Sequence, residues 1–367
     1  MTEVTGTAQK RALTELRQNP VIPEEFVMFA TARSMRPKKE VQPEPYDNRS
    51  HVADCPFCRG NEAMTPPPLA QVNDENGNWI VRSVSNKFPV LDHNCGNQNF
   101  SFGVQRVIDG FGCHEVMIDH PDHGIRINAM DTKHLALLFT AYRNRMETLY
   151  KENPQLKHVL VFKNFGEEAG GSIKHTHSQI LAMPIVLKRV AEEMKGSQSY
   201  YREYGECIFC TQIDEARTLG VTVTDKDNGA TRREIFAGQL VIERTKHFIA
   251  MKPFASRHEW EISIIPLVHT MDFLHATAEV IADLASLFKS TLSRLDAVVK
   301  GLQYNFLIHS ANATLFPGHA KSYHWYIEII PRTVKFSGIE LGTGCHVNTI
   351  APEDAAERLR TVNIGPS

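Results

Sequence analysis

The chain repeats itself, and a repeat constrains a fold more tightly than any single motif. Four landmarks recur in the same order within 367 residues. Cys55-Pro-Phe-Cys58 returns 152 positions later as Cys207-Ile-Phe-Cys210. His114-Glu115, running on to Pro121-Asp-His123, returns as His258-Glu259 running on to Pro266-Leu-Val-His269, with the closing histidines 146 apart. The apolar stretch 158–162 returns at 305–308. His175-Thr-His177-Ser-Gln179 returns as His324-Trp-Tyr326-Ile-Glu328, 149 positions on. A unit of roughly 150 residues is a whole domain rather than a solenoid repeat. The sequence therefore divides into residues 1–195 and 196–367, with the break in the charged stretch around Lys188, Arg189, Glu192, Glu193 and Lys195.

Within each copy a long helical pattern separates short apolar runs. The 3.6-residue periodicity predicts helices over 131–151 and 270–300, the second marked by Phe273, Ala276, Val280, Leu284, Leu287 and Leu295. The flanking runs have strand length and strand composition. Strands gathered around one long helix per copy predict an α+β fold with antiparallel sheets, not a doubly wound parallel sheet.

Seven cysteines, four of them in Cys-x-x-Cys pairs, fit metal binding in a reducing compartment better than a disulfide framework. Two thiolates two residues apart supply one edge of a tetrahedron, and the repeat names the histidines that complete it. The expected sites are Cys55, Cys58, His123 and His175 in the first copy, and Cys207, Cys210, His269 and His324 in the second. His93, His114, His120, His247, His258 and His309 compete for these roles. Four protein ligands close a site, so both metals are expected to be structural zinc, with iron as the alternative.

The copies then diverge. His177 and Gln179 of the first stand where the second has Tyr326 and Glu328. A duplication that keeps its metal ligands but loses one imidazole keeps its chemistry in a single half. On a strand, His177 shares a face with His175 two residues earlier. Upstream lies Asn164-Phe-Gly166-Glu-Glu-Ala-Gly170-Gly171-Ser172, a glycine-rich loop whose backbone N–H groups can approach an anion. It is not a P-loop, because no Gly-Lys-Ser/Thr follows. A neutral imidazole is a competent nucleophile near pH 7, so His177 is expected to attack the α-phosphorus of a nucleotide diphosphate, with Gln179, Ser172 and the loop amides holding the non-bridging oxygens.

The segments CPFCRGNE, Pro121-Asp-His123, HTHSQ and Gly338-Ile-Glu340-Leu-Gly-Thr-Gly344 resemble the galactose-1-phosphate uridylyltransferase branch of the histidine-triad superfamily. The likeness runs from about Asn19 to Val362 and looks closest to its ADP-glucose phosphorylase-like members, which also carry Cys-x-x-Cys in both halves. The resemblance implies two histidine-triad-like domains, a homodimer, and ping-pong transfer through a nucleotidyl-histidine at His177, with Gln179 as the phosphate-holding amide. It further implies that Arg33, Arg36, Asn86, Asn164, Gly170, Gly171 and Ser172 contact nucleotide and phosphates. Gly338, Glu340 and Gly344 would reach the sugar or phosphate side. Two departures stand out. Thr176 and Ser178 replace Pro and Gly of the usual His-Pro-His-Gly-Gln motif, and His346 stands near where uridylyltransferases place a glutamine for the acceptor sugar.

The expected activity is transfer of a nucleoside monophosphate between a nucleotide sugar and a sugar 1-phosphate. Alternatives are a nucleotide-sugar phosphorylase with inorganic phosphate as acceptor, a hydrolase in which water resolves the intermediate, and a non-catalytic zinc module. Lys+Arg 40 against Asp+Glu 42 gives a net charge of −2, without the basic excess of a nucleic-acid binder. No apolar run is long enough for a membrane span, and the N-terminal stretch lacks the apolar core of a signal peptide. A cytoplasmic location is expected.

Overall fold

The computed structural model describes residues 13–35, 46–96, 98–224, 229 and 231–365. Strands β1 (Thr14–Gln18) and β2 (Phe26–Ala30) lead into β3 (Pro68–Asn73), β4 (Trp79–Ser85), a β5 (Asn99–Phe102) and β6 (Gln105–Ile108) hairpin, and β7 (Cys113–Ile118). Helix α1 (Thr132–Glu152), β8 (His158–Phe165) and β9 (His177–Met183) complete the first copy. Helices α2 (Lys188–Tyr204) and α3 (Ile208–Thr218) follow, with the hairpin β10 (Gly220–Thr224) and β11 (Thr231–Phe236). The second copy continues through β12 (Val241–Arg244), β13 (Phe248–Met251), β14 (Ile262–Pro266), α4 (Ala278–Val298), β15 (Tyr304–His309) and β16 (Tyr326–Pro331). It ends with α5 (Gly338–Thr343), β17 (His346–Asn348) and α6 (Pro352–Thr361).

Among the described residues, one antiparallel sheet carries ten strands in the order β12-β13-β14-β16-β15-β8-β9-β7-β4-β3. Reading outward from the centre, each copy contributes five strands in matching order, joined where β8 pairs with β15. The expected α+β duplication is therefore present as a single continuous sheet. Residues 195 and 196 fall inside α2, and Gly196 is needed there: a Cβ would lie 1.9 Å from the Val21 carbonyl of the crossing N-terminal segment.

The two long helices lie on one face. Each has 21 residues, and each starts on a side-chain cap: Asp131 accepts from the Lys133 N–H, and Thr277 from that of Val280. Phe139 and Phe288 meet edge to face at 5.2 Å, and Phe288 meets Phe306 the same way, inside a core shared by both copies. The second helix starts eight residues later than its periodicity predicts. Asp272 caps a short 3-10 turn at Phe273–His275 instead, and the chain enters α4 only at the Thr277 cap. The opposite face carries both Cys-x-x-Cys segments and, over the second copy, helix α2.

Strand register makes the equivalence of the copies explicit. Gln179 faces Val116 and Phe162, while Glu328 faces Ser263 and Leu307. His114 thus corresponds to Glu261, and the sequence match of His114-Glu115 to His258-Glu259 is three residues out of register. The same register pairs Asn164 with His309 and Lys163 with Ile308. Both β9 and β16 begin two residues later than expected, so the ligands His175 and His324 precede their strands.

Candidate active site

Four ligand atoms converge in each copy. Cys55, Cys58, His123 and His175 form one cluster and Cys207, Cys210, His269 and His324 the other, with all ligand atoms of a cluster within 4.8 Å of one another. Among the described residues none of the six competing histidines belongs to either. In the first copy the Sγ···Nδ1 separations are 3.5 to 3.7 Å, and in the second 3.5 to 3.9 Å. Tetrahedral zinc with ordinary bond lengths requires roughly 3.6 Å between sulfur and nitrogen ligands, so the donors fit the metal. All four imidazoles turn Nδ1 toward the thiolates. Nε2 of His175 donates to the His120 carbonyl at 2.8 Å and Nε2 of His269 to the Ala320 carbonyl at 2.9 Å, the outer contacts that orient metal-binding rings.

Strand β9 leaves the first cluster and carries His177. The Phe57 ring, from between the two cysteines, touches both His175 and His177, so the knuckle packs directly beside His177. His177 Nδ1 lies 2.8 Å from the His175 carbonyl. A carbonyl only accepts, so Nδ1 carries the proton and Nε2 the lone pair. Burial, followed by the nearby Lys163 charge, holds this imidazole below the usual histidine range.

His177 lines a cleft of about 680 Å³ together with Asn164, Gly171 and Ser172, and with Tyr46, Arg126, Lys174 and Gln303. Gly170 takes a left-handed φ of 83°, and a Cβ on Gly171 would lie 2.9 Å from the Asn164 carbonyl, so this tight loop requires glycine at both positions. Asn305, from the second copy, donates to both Asn164 Oδ1 and the Ala169 carbonyl at 2.8 Å, fixing the loop across the seam between β8 and β15.

Gln179 is aimed by a residue that the sequence reading placed elsewhere. The Val90 N–H donates to His114 Nδ1 at 3.2 Å, so the His114 proton sits on Nε2 and is donated to Gln179 Oε1 at 2.8 Å. The Gln179 amide N–H groups are thereby left to donate. Asn86 packs against the same His114 ring. The pairing had no local signal, since 65 residues separate the partners.

Among the described residues, the other expected contacts lie apart from this cleft. Arg33 sits in the 3-10 turn Thr31–Met35 after β2, and Arg36 lies outside the described residues. Gly338 and Glu340 belong to α5, where Glu340 accepts from Ser337 in a capping box, and Gly344 caps the helix at a left-handed φ of 69°. None of the three lines the cleft. His346 opens β17, with its ring against His258 and Phe336.

In the second copy the corresponding position is filled. The Tyr326 hydroxyl donates to Glu193 of α2 at 2.8 Å, and its ring stacks on His309 at 4.4 Å. His309 bridges Glu193 and Glu328, and Arg257 pairs with Glu328. Burial alone would lower the His309 pKa, but the two carboxylates outweigh it and raise it to about 9. Burial pushes Glu261 up to about 7, with Arg257 opposing and Glu328 reinforcing the rise. Both groups bind protons more tightly when folded. The His309 contribution is complete below its unfolded value near 6.5 and is lost as pH rises through 9; that of Glu261 is lost between about 4.5 and 7. The stability supplied by His309 should therefore fall between pH 6.5 and 9.5, by a few kcal/mol. His309→Gln should be less stable at pH 6.5 and lose less over that interval. Parallel melting curves for the two proteins would refute this assignment.

Fold and site together define a duplicated histidine-triad-type enzyme of nucleotidyl transfer. A family model described as galactose-1-phosphate uridyl transferase, N-terminal domain, matches residues 5–186. ADP-glucose phosphorylase of Arabidopsis thaliana is 31% identical over 361 residues, covering 98% of this chain and 96% of the relative. Galactose-1-phosphate uridylyltransferase of Thermotoga maritima is 24% identical over 358 residues, covering 95% and 99%. The crystal structure of an Arabidopsis thaliana ADP-glucose phosphorylase with bound ADP-glucose superposes with a TM-score of 0.79 at 29% identity, covering 96% of this chain and all of that one. The chain belongs to the galactose-1-phosphate uridylyltransferase family.

Proposed function

We propose that this chain transfers a nucleoside monophosphate from a nucleotide sugar to a phosphate-bearing acceptor through a covalent nucleotidyl-His177 intermediate. The observation that carries this reading is the His177 tautomer: Nδ1–H is held by the His175 carbonyl, and Nε2 is free on a residue lining the cleft. In the first half-reaction, the Nε2 lone pair forms a bond to the α-phosphorus as the bridging P–O bond breaks, and the sugar 1-phosphate departs with that electron pair. No base is needed, because Nε2 carries no proton. The resulting imidazolium keeps its Nδ1–H on the carbonyl. Gln179 amide donors and Ser172 would hold the oxygens on which charge develops, while the N–H groups of Gly170 and Gly171 donate to the Glu167 and Gly166 carbonyls and shape the loop. In the second half-reaction an acceptor oxygen displaces Nε2 from phosphorus.

Two acceptors fit this chemistry. A sugar 1-phosphate would regenerate a nucleotide sugar, and inorganic phosphate would yield a nucleoside diphosphate. The likeness to ADP-glucose phosphorylase and the His346 replacement both support phosphate. Intact-protein mass spectrometry after mixing with ADP-glucose or UDP-glucose alone should reveal a gain of one nucleoside monophosphate, whose mass identifies the base. Added phosphate should then discharge the adduct faster than galactose 1-phosphate does. No mass gain with any nucleotide sugar would defeat the reading and favour a non-catalytic role.

The two S₂N₂ donor sets suit zinc, which takes thiolate and imidazole ligands tetrahedrally without redox chemistry; iron is the alternative. Elemental analysis should return two zinc ions per chain. The thiols of both sites must stay reduced, consistent with a cytoplasmic protein, and all seven cysteines are free in the structure. Among the described residues no helix is long and apolar enough to cross a membrane. Exposed Phe88, Val90, Phe102 and Val104 on and beside the β5–β6 hairpin support a homodimer. Sedimentation would read out that state.

A further inference from the structure

Behind the reactive strand lies a buried polar group that the chemistry above does not use. Lys163 Nζ donates to Asp119 Oδ2 at 2.6 Å, to Thr176 Oγ1 at 2.9 Å and to the main-chain carbonyl of His177 at 2.7 Å, satisfying all three of its protons. Thr176 and Ser178 hydroxyls donate to the same Asp119 oxygen at 3.2 and 3.1 Å. The Tyr142 hydroxyl, from α1, lies 2.6 Å from Ser178 Oγ and 3.2 Å from Asp119 Oδ1. Lys163 and Asp119 are 1% and 0% exposed.

A buried ion pair is weak evidence for stability, because removing two charges from water offsets most of their attraction. The second copy makes the comparison directly. Strand register sets Pro266, Ile308, Trp325 and Ile327 against Asp119, Lys163, Thr176 and Ser178, and counting from the starts of the two long helices sets Phe288 against Tyr142. All five counterparts are buried and apolar. The same architecture thus stands without the polar group in the half that has no imidazole at the reactive position. Its members also converge on one place, the carbonyl of residue 177 and the side chains immediately before and after it.

We infer that Asp119 and Lys163, with Thr176, Ser178 and Tyr142, form a positioning clamp that fixes the β9 backbone so that His177 Nε2 meets the α-phosphorus in line. The clamp rests on the nucleotidyl-histidine reading above. Lys163 and Thr176 also line the cleft, but all three Lys163 protons are given to protein oxygens, so the group acts through the main chain of residue 177. A strand free to shift by about 1 Å would lose on the order of 100-fold in rate.

The test is single-turnover adduct formation with ADP-glucose, read by intact mass, alongside the dissociation constant for ADP-glucose and the melting temperature. The paired substitution Asp119→Asn with Lys163→Met removes both charges together and leaves neither stranded. It should form the adduct about 100-fold more slowly, with donor affinity within threefold of wild type. Ser178→Ala and Thr176→Val, which each delete one hydroxyl, should each slow it about tenfold; they decide the matter should the paired variant not fold. A lowered melting temperature with unchanged adduct rate would assign the group to stability alone and overturn the inference while leaving the nucleophile assignment intact. Absence of adduct in the wild-type chain would overturn both.

Discussion

Replacing His177 by asparagine should abolish the proposed covalent adduct and lower turnover by roughly 10⁴-fold or more, the scale on which an enzyme loses its nucleophile. The fold should survive. His177 is held by one hydrogen bond to the His175 carbonyl and by the edge of Phe57, and neither anchors the core. Asparagine keeps a polar group near the backbone and removes the nitrogen lone pair. The measurement is the mass of the protein after incubation with a nucleotide sugar, together with steady-state turnover and the melting temperature. A variant that still gains a nucleoside monophosphate would move the nucleophile elsewhere. Gln179→Ala should instead retain the adduct and form it more slowly, by about 10² to 10³, because it removes an oxyanion donor and leaves the attacking atom.

The second large effect is loss of metal. Structural zinc in Cys/His sites binds with an apparent free energy of about 10–16 kcal/mol near pH 7, comparable to the entire stability of an ordinary domain. The first knuckle has only a small apolar core. Cys55, Phe57 and Cys58 pack with Trp79, Val84, Val116 and Ile118, and Asn61 ties the loop through the Val52, Ala53 and Cys55 carbonyls. Stripping both sites with a strong chelator should therefore remove the cooperative melting transition and adduct formation together, and restoring zinc should recover both. Cys55→Ser should resemble the stripped protein in activity, since that knuckle touches His177 through Phe57. A metal-free protein with an unchanged melting temperature and full labelling would refute a structural role for the ions.

How much of this was legible in the sequence depends on how local each signal is. The duplication and both Cys/His clusters could be read because identical residues recur at nearly constant offsets. The helices could be read because their apolar positions follow the period, although the start of α4 was hidden by a turn whose Asp272 cap looks like helix from sequence alone. Pairings across the sheet were not legible. Nothing near His114 says that it aims Gln179, and its register partner Glu261 escaped notice because a neighbouring His-Glu dipeptide imitated the match. Thr176 and Ser178 read only as departures from a motif, because their partners Asp119 and Lys163 come from other strands. The segment around Glu340 was informative as a motif, yet within this chain its residues build a capped helix away from the cleft.

The seam between β8 and β15 means that the half without an imidazole at position 326 is not a dispensable relic. Gly301, Leu302 and Gln303 wall the cleft, and Asn305 braces the glycine loop, although none of them enters the proposed chemistry. Cutting the protein after its first half would strip β8 of its partner and leave a row of unmatched amides as a template for aggregation. Natural variation in the C-terminal half should therefore be able to weaken catalysis while leaving His177 unaltered.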